Sequence, residues 1–158
     1  MREAGMIQSL AALTQRARPT LREYRSLMKA FVRSLYLVPR YRQDFAQVEA
    51  FCLFIGYPRS GHSLIGSLLT GHPECVISHE LNALAYVRRG FRREQLFALI
   101  LDRDQWFSHQ GREWTGFDYS VEGLWQGHHD RLRVIGDKKG GASTLLLERD
   151  PTLLHALR

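Results

Sequence analysis

The pattern of apolar and polar residues changes near residue 48. Before that point, leucine, alanine, phenylalanine and tyrosine recur at helical spacing between arginines, over residues 6–18 and 20–37, and Pro39 follows the second run. This spacing predicts two amphipathic helices, the second of which ends at the proline. We therefore predict a basic amphipathic helical extension over residues 1–47.

From residue 48 onward, short apolar runs alternate with segments of helical period, apart from residues 103–131, which have no clear period and predict an irregular insertion. This alternation predicts an α/β domain over residues 48–158, with a parallel sheet flanked by helices. Strands are predicted at residues 51–56, 75–78 and 132–136, and helices at residues 61–70, 80–88, 92–101, 142–148 and 151–158.

The surplus of positive charge belongs to the N-terminal segment. Residues 1–45 carry nine basic and three acidic side chains, whereas residues 46–158 carry thirteen of each. The favoured interpretation is a helical extension with solvated arginines, and peripheral membrane contact through residues 1–45 is the alternative. Because no alternation of aromatic and basic residues typical of a nucleic-acid module is present, we predict no nucleic-acid partner.

The apolar runs, the N-terminus and the two cysteines indicate the cellular compartment and its redox state. No window approaches the run of about eighteen apolar residues that a membrane span needs, and the N-terminus does not follow the order of a secretory signal. Cys52 and Cys75 lie in apolar runs predicted as strands, which favours buried free thiols over a disulfide or a metal site. We therefore predict a cytoplasmic protein without a transmembrane segment.

The segment from Gly56 to Ser63 predicts a phosphate cradle. An apolar run ends there in a short loop and continues as a helical pattern, and such a loop leaves free N–H groups at the start of the helix. Two glycines stand at the spacing of a Walker A loop, but a histidine replaces its lysine, which disfavours the alternative of a P-loop nucleotide kinase or NTPase. The predicted ligand-binding residues are Arg59, Ser60, Gly61, His62 and Ser63.

Polar residues also follow the second and third predicted strands, and ligands of open parallel sheets bind beyond the carboxyl ends of the strands. Glu80 is predicted to open a helix whose dipole keeps it ionised, either as a proton acceptor or only as a favourable charge. Lys138 either supplies positive charge to the site or is a solvated surface lysine. Asp137 keeps the kinase alternative open. The histidines have no partners at metal-ligand spacing, so no metal is predicted.

The sequence Tyr57-Pro-Arg-Ser-Gly-His-Ser63 resembles the 5'-phosphosulfate-binding loop of sulfotransferases. The resemblance covers roughly residues 51–158 and implies a P-loop-like nucleotide-binding fold, with PAPS (3'-phosphoadenosine 5'-phosphosulfate) as co-substrate and a small-molecule or glycan acceptor bearing a hydroxyl or amine. Glu80, 21 residues after Arg59, matches the family's presumed base. Lys138 matches a lysine that approaches the transferred sulfuryl group.

One family motif is displaced. An Arg-Asp/Asn-Pro sequence that follows a further strand holds the 3'-phosphate in sulfotransferases, but the local candidate, Arg149-Asp-Pro151, precedes a helix-like run. We therefore expect an incomplete sulfotransferase domain that binds PAPS weakly and is inactive or poorly active. A further alternative is a non-catalytic fragment that associates through its basic helices.

Overall fold

The computed structural model describes residues 20–157, and its contacts divide the chain into two compact units, Met1–Ala30 and Phe31–Arg158. The first predicted helix, residues 6–18, lies outside the described residues. Helix α1 spans Leu21–Phe45 and begins with a capping box. The Glu23 carboxylate accepts from the Thr20 N–H at 2.8 Å, and the Glu23 N–H donates to the Thr20 hydroxyl at 3.3 Å.

The sequence predicted that this helix ends at Pro39. In the structure, helix α1 continues through Pro39 to Phe45. Leu37 and Phe45 are buried, and the Phe45 ring lies edge-on to Phe97 at 5.7 Å. Burial of these side chains outweighs the helical hydrogen bond that proline removes. The second compact unit, which begins at Phe31, includes the last part of the segment predicted as an extension.

Three parallel strands form the predicted α/β sheet. Strands β1 (Ala50–Leu53) and β2 (Cys75–His79) both pair with β5 (Val134–Lys138), which gives the order β1-β5-β2. The third strand lies two residues later than predicted, so Asp137 and Lys138 belong to the strand instead of following it.

The helices of the second unit differ from prediction mainly at their ends. The helix predicted from residue 80 begins at Ala83, because Glu80 and Asn82 have left-handed φ angles of 60° and 68°. The helix predicted over residues 92–101 continues to His109. The observed elements are α2 (His62–Thr70), α3 (Ala83–Val87), α4 (Arg93–His109), α5 (Gly141–Arg149) and a 3₁₀ helix (Pro151–Leu157).

The insertion predicted as irregular contains the end of α4 and a small hairpin. Strands β3 (Glu113–Trp114) and β4 (Phe117–Asp118) pair in antiparallel fashion. The two residues between them, Thr115 and Gly116, have φ angles of 50° and 79°, as in the primed turns that suit hairpins.

Helices α2 and α4 cover opposite faces of the sheet. Val76 and Ile135 belong to the same buried cluster as Phe97 and Ile100 of α4. Gly66 of α2 faces Ile77, one residue after Val76, and Lys138, three residues after Ile135. Because successive strand residues point to opposite faces, α2 covers the face that carries Lys138.

Both cysteines are free, as predicted: Cys75 is buried and Cys52 is half-buried. Burial raises the pKa of the Cys75 thiol to about 12. Within residues 20–157, every helix is too short or too polar to cross a bilayer.

Candidate functional site

The loop between β1 and α2 is shaped by left-handed residues. Gly56, Arg59 and Gly61 have φ angles of 136°, 67° and 78°, which turn the chain sharply before the helix. The Thr144 hydroxyl of α5 accepts a hydrogen bond from the Gly56 N–H at 2.7 Å. The Ser60 hydroxyl donates to the Tyr57 carbonyl. The loop is therefore held both by its own side chains and by α5.

The first turn of α2 provides the donors of an anion cradle. Gly61 occupies the N-cap position, no side chain caps the helix, and its first turn contains no acidic residue. The first N–H groups of a helix have no acceptor within the helix, and the helix dipole favours negative charge beside them. Arg59 is exposed and has no ion pair or hydrogen bond to any described residue, so its guanidinium is free to bind an anion.

Lys138 connects this turn to Glu80. Its side chain extends from β5, and the residue is only 5% exposed. Its ammonium donates to the Ser63 hydroxyl at 2.8 Å and to Glu80 Oε1 at 2.6 Å. Burial lowers the pKa of Lys138, an effect that the hydrogen bond to Glu80 opposes. Lys138 is a buried member of the site, not a solvated surface lysine.

Glu80 is kept ionised by lysines, not by a helix dipole. It lies three residues before α3, so the predicted dipole effect is wrong. Burial disfavours its charged form, but hydrogen bonds from Lys138 and Lys139 outweigh burial and lower the pKa of Glu80. Both carboxylate oxygens accept from a lysine ammonium. The carboxylate is therefore ionised but occupied.

These groups line a single cavity of about 960 Å³. Six of the seven predicted site residues lie in its wall, while Ser60 does not. The predicted residues in the wall are Arg59, Gly61, His62, Ser63, Glu80 and Lys138.

The His62 ring packs between two loops. A methyl group in place of the Gly56 hydrogen would lie 3.0 Å from its Nε2, and one on Gly140 would lie 2.7 Å from its Nδ1. The ring also meets Phe54 edge-on at 5.8 Å. The side chain thus fills the space where the loops after β1 and β5 meet, while the backbone N–H lies in the first turn of α2.

Asp137 does not face the cavity. Its buried carboxylate accepts from the Ser78 hydroxyl at 2.9 Å and from the N–H groups of Leu81 and Ala83 at 3.1 and 2.7 Å. Burial raises the pKa of Asp137. The residue fixes the turn that carries Glu80.

Several residues of the site were not found from the sequence. Lys139 was not among the predicted site residues, and nothing in the sequence singles out Thr144, whose role depends on contact with a loop 88 residues away. The cavity wall also contains Trp114 and Phe117, which lie in the segment predicted as an irregular insertion. Gly116, between these two aromatic residues, is the residue type that favours the positive φ angle of the turn.

Comparisons of the chain with protein-family models, curated proteins and solved structures gave no match. The functional assignment therefore rests on the loop, the strand ends and the geometry that joins them.

Proposed function

We propose that this chain has a P-loop-like nucleotide-binding fold and belongs to the PAPS-dependent sulfotransferases, with the loop after β1 binding the 5'-phosphosulfate of the donor. One observation carries the proposal: Arg59, the first N–H groups of α2, Lys138 and Glu80 converge on one cavity. Cations, backbone donors and a carboxylate are the groups that sulfuryl transfer requires.

The cradle suits the anionic end of the donor. The first N–H groups of α2 and the Arg59 guanidinium supply donors for phosphate oxygens. Lys138 and Lys139 both donate hydrogen bonds to Glu80, and both belong to the cavity wall. A bound anion competes with Glu80 for the two ammonium groups, which frees the carboxylate for the acceptor.

In the proposed reaction, Glu80 accepts the proton of the acceptor hydroxyl while the acceptor's hydroxyl oxygen forms a bond to the sulfur of the donor. The bond between sulfur and the bridging oxygen of the donor breaks, and its electron pair leaves with the adenosine 3',5'-bisphosphate product, PAP. Charge builds on that leaving oxygen, where Arg59, Lys138 and the helix N–H groups stabilise it. The residues serve as a general base and as an electrostatic clamp.

Within residues 20–157, the displaced Arg149-Asp-Pro151 motif contributes no side chain to the cavity wall. Asp150 of the displaced motif ends α5, and its carboxylate accepts from the Thr152 N–H at 3.2 Å. Neither Arg149 nor Asp150 lies in the cavity wall, whose cations are Arg59, Lys138 and Lys139. We therefore propose that the described residues bind PAP mainly through its 5'-phosphate and that affinity is modest.

The proposal is tested by calorimetry of PAP with Arg59→Ala and Ser63→Ala. Loss of a charged hydrogen bond costs about 1.5–3 kcal/mol, so Arg59→Ala is expected to weaken binding roughly 10- to 100-fold. Ser63→Ala is expected to weaken it less, because its hydroxyl acts partly through Lys138.

Arg131→Ala, which removes an exposed arginine outside the cavity wall, is the matched control and is expected to bind like the parent chain. Unchanged affinity in both loop variants, with melting temperatures preserved, would refute the assignment of the loop.

A further inference from the structure

Helix α1 carries large apolar side chains on a side that faces solvent. In the part of the helix that belongs to the second unit, Phe31, Val32, Leu35 and Tyr36 are between 40% and 68% exposed. They form two pairs four residues apart, so they share one side of the helix. We call these four residues the apolar stripe. A contiguous set of exposed apolar side chains indicates a surface that another molecule covers.

The opposite side of the same helix packs on the domain. Ser34 and Leu37 are buried, and the Ser34 hydroxyl accepts a hydrogen bond from the Gln95 amide of α4 at 3.1 Å. Arg33 forms an ion pair with Asp102, also of α4, at 2.6 Å. These contacts fix the rotation of the helix, so the apolar stripe is held toward solvent.

Unpaired arginines border the apolar stripe. Residues 88–93, which we call the basic turn, contain four arginines and no acidic residue, and all four arginines are exposed. Phe91 of this turn meets the Phe31 ring edge-on at 5.8 Å, which places the basic turn beside the stripe. On the helix, Arg40 is exposed and lies four residues after Tyr36. Within residues 20–157, none of these arginines forms an ion pair.

The first unit, taken by itself, has the same character. Leu21, Tyr24 and Met28 of α1 are exposed there, at spacings of three and four residues. Three basic residues and one acidic residue stand among them in residues 21–29. Each unit therefore presents apolar side chains at helical spacing with a surplus of positive charge.

Apolar side chains bordered by cations match the surface of an anionic lipid bilayer. The acyl region receives the apolar side chains, while the phosphate and carboxylate groups above it attract the arginines. A second copy of the chain fits less well, because a self-complementary contact through the stripe brings two sets of unpaired arginines together. A nucleic acid uses the arginines but leaves the apolar stripe exposed.

We propose that the apolar stripe and the basic turn together dock on a bilayer that contains anionic lipid, with α1 lying along the interface. This inference goes beyond the proposed function and does not depend on it, because none of these residues lies in the cavity wall.

The test is flotation of the parent chain with two kinds of vesicle, one of phosphatidylcholine alone and one of phosphatidylcholine mixed with phosphatidylserine. We expect the chain to float with the mixed vesicles and to bind the neutral ones weakly. Added salt is expected to weaken binding to the mixed vesicles, because it screens the attraction between arginines and headgroups.

Leu35→Gln and Leu68→Gln form a matched pair of variants. The two leucines lie on helices and are 53% and 50% exposed, but Leu68 belongs to α2. Leu35→Gln is expected to weaken binding to the mixed vesicles about tenfold, because an apolar side chain no longer enters the acyl region. Leu68→Gln is expected to bind like the parent chain. Both side chains are exposed, so both variants are expected to keep the parent melting temperature.

The basic turn is tested by charge. Arg88→Gln combined with Arg92→Gln is expected to weaken binding to the mixed vesicles roughly 30-fold, the loss expected for two surface arginines. Arg88→Lys combined with Arg92→Lys keeps both charges and is expected to bind like the parent chain.

Equal binding of the parent chain to the two kinds of vesicle, or an equal loss in the two leucine variants, would overturn the proposal. A chain that does not float but forms a dimer that Leu35→Gln disperses would show that the stripe is an interface between copies. A chain that does not float but binds a duplex oligonucleotide through Arg88 and Arg92 would assign the turn to nucleic acid.

Discussion

Lys138 is almost fully buried, and its ammonium is balanced by the Ser63 hydroxyl and the Glu80 carboxylate. An ammonium in such a place is costly without a partner, so the ion pair with Glu80 is required for the charge to be retained. Lys139 completes a network in which one carboxylate is shared by two cations. At the scale of single residues, the site therefore carries one surplus positive charge that an anion can neutralise.

At this scale we predict a pH effect for Glu80→Gln. The pKa of Glu80 is lowered in the folded state, so its contribution to stability is fully present above the ordinary glutamate pKa of 4.5 and is lost as pH falls through the lowered pKa. A variant without this carboxylate does not lose that stabilisation as pH falls. Urea unfolding between about pH 3 and pH 7 is expected to show a smaller acid-side decrease in the free energy of unfolding for Glu80→Gln than for the parent chain.

Glu148→Gln is the control for that experiment. It removes another carboxylate of the cavity wall, for which no ion pair or hydrogen bond is found among residues 20–157. Its pH profile is expected to follow the parent's. Parallel profiles for Glu80→Gln and the parent chain would contradict the lysine-bound state of Glu80.

At the scale of elements, the sheet places the site residues through close contacts between neighbouring strands. Gly136 lies at the centre of β5, with Cys52 on one side and Ile77 on the other. A methyl group there would lie 2.2 Å from the Cys52 carbonyl oxygen. Because that contact is with backbone, β1 and β5 would have to separate to admit the methyl group. Lys138 lies two residues further along β5, so the same close pairing holds it in place.

Two glycine substitutions of the same size are therefore predicted to have opposite effects. Gly136→Ala is expected to lower the free energy of unfolding by about 1–3 kcal/mol, because its methyl group overpacks the sheet. Gly66→Ala is expected to raise it by about 0.5–1 kcal/mol, because the position is helical and its methyl group makes ordinary contacts at 3.6 Å. Urea unfolding of both variants measures the two changes, and a stabilised Gly136→Ala would contradict the packing of β1 against β5.

The order of strands and helices was predictable because each core element carries an apolar run of its own period. Their ends were not, because tertiary contacts decide them. Helix α4 continues past its apolar run because the buried carboxylate of Asp104 is neutralised by an ion pair with Arg112 at 3.0 Å. Similarly, β5 includes Asp137 because Ser78 and the turn after β2 supply donors. A sequence shows the polar residues but not these partners.

The candidate site was predictable in part for a related reason. The cradle residues are contiguous in sequence, and Glu80 and Lys138 follow from the rule that ligands bind at the carboxyl ends of parallel strands. The part of the wall formed by β3 and β4 was missed because its aromatic residues lie in a segment without period, where only Gly116 favours a turn.

At the scale of the whole molecule, the second unit brings three separate segments to one end of its sheet. The parallel order β1-β5-β2 places the loop after β1, the turn after β2 and the end of β5 beside one another. The first turn of helix α2 and the β3–β4 hairpin both line the cavity at this end. The cavity wall therefore combines cationic side chains, Arg59, Lys138 and Lys139, with the aromatic side chains of Trp114 and Phe117.

The central claim is that the cradle binds an adenosine bisphosphate without a metal ion, since Asp137 is occupied by its own hydrogen bonds and His62 replaces the lysine of a Walker A loop. The most direct measurement is calorimetry of the parent chain with PAP in the presence of EDTA, beside ATP with and without Mg²⁺. We predict that PAP binds in EDTA and that Mg²⁺ adds little to ATP affinity. Tighter binding of ATP with Mg²⁺ than of PAP would contradict the account and favour a nucleotide kinase.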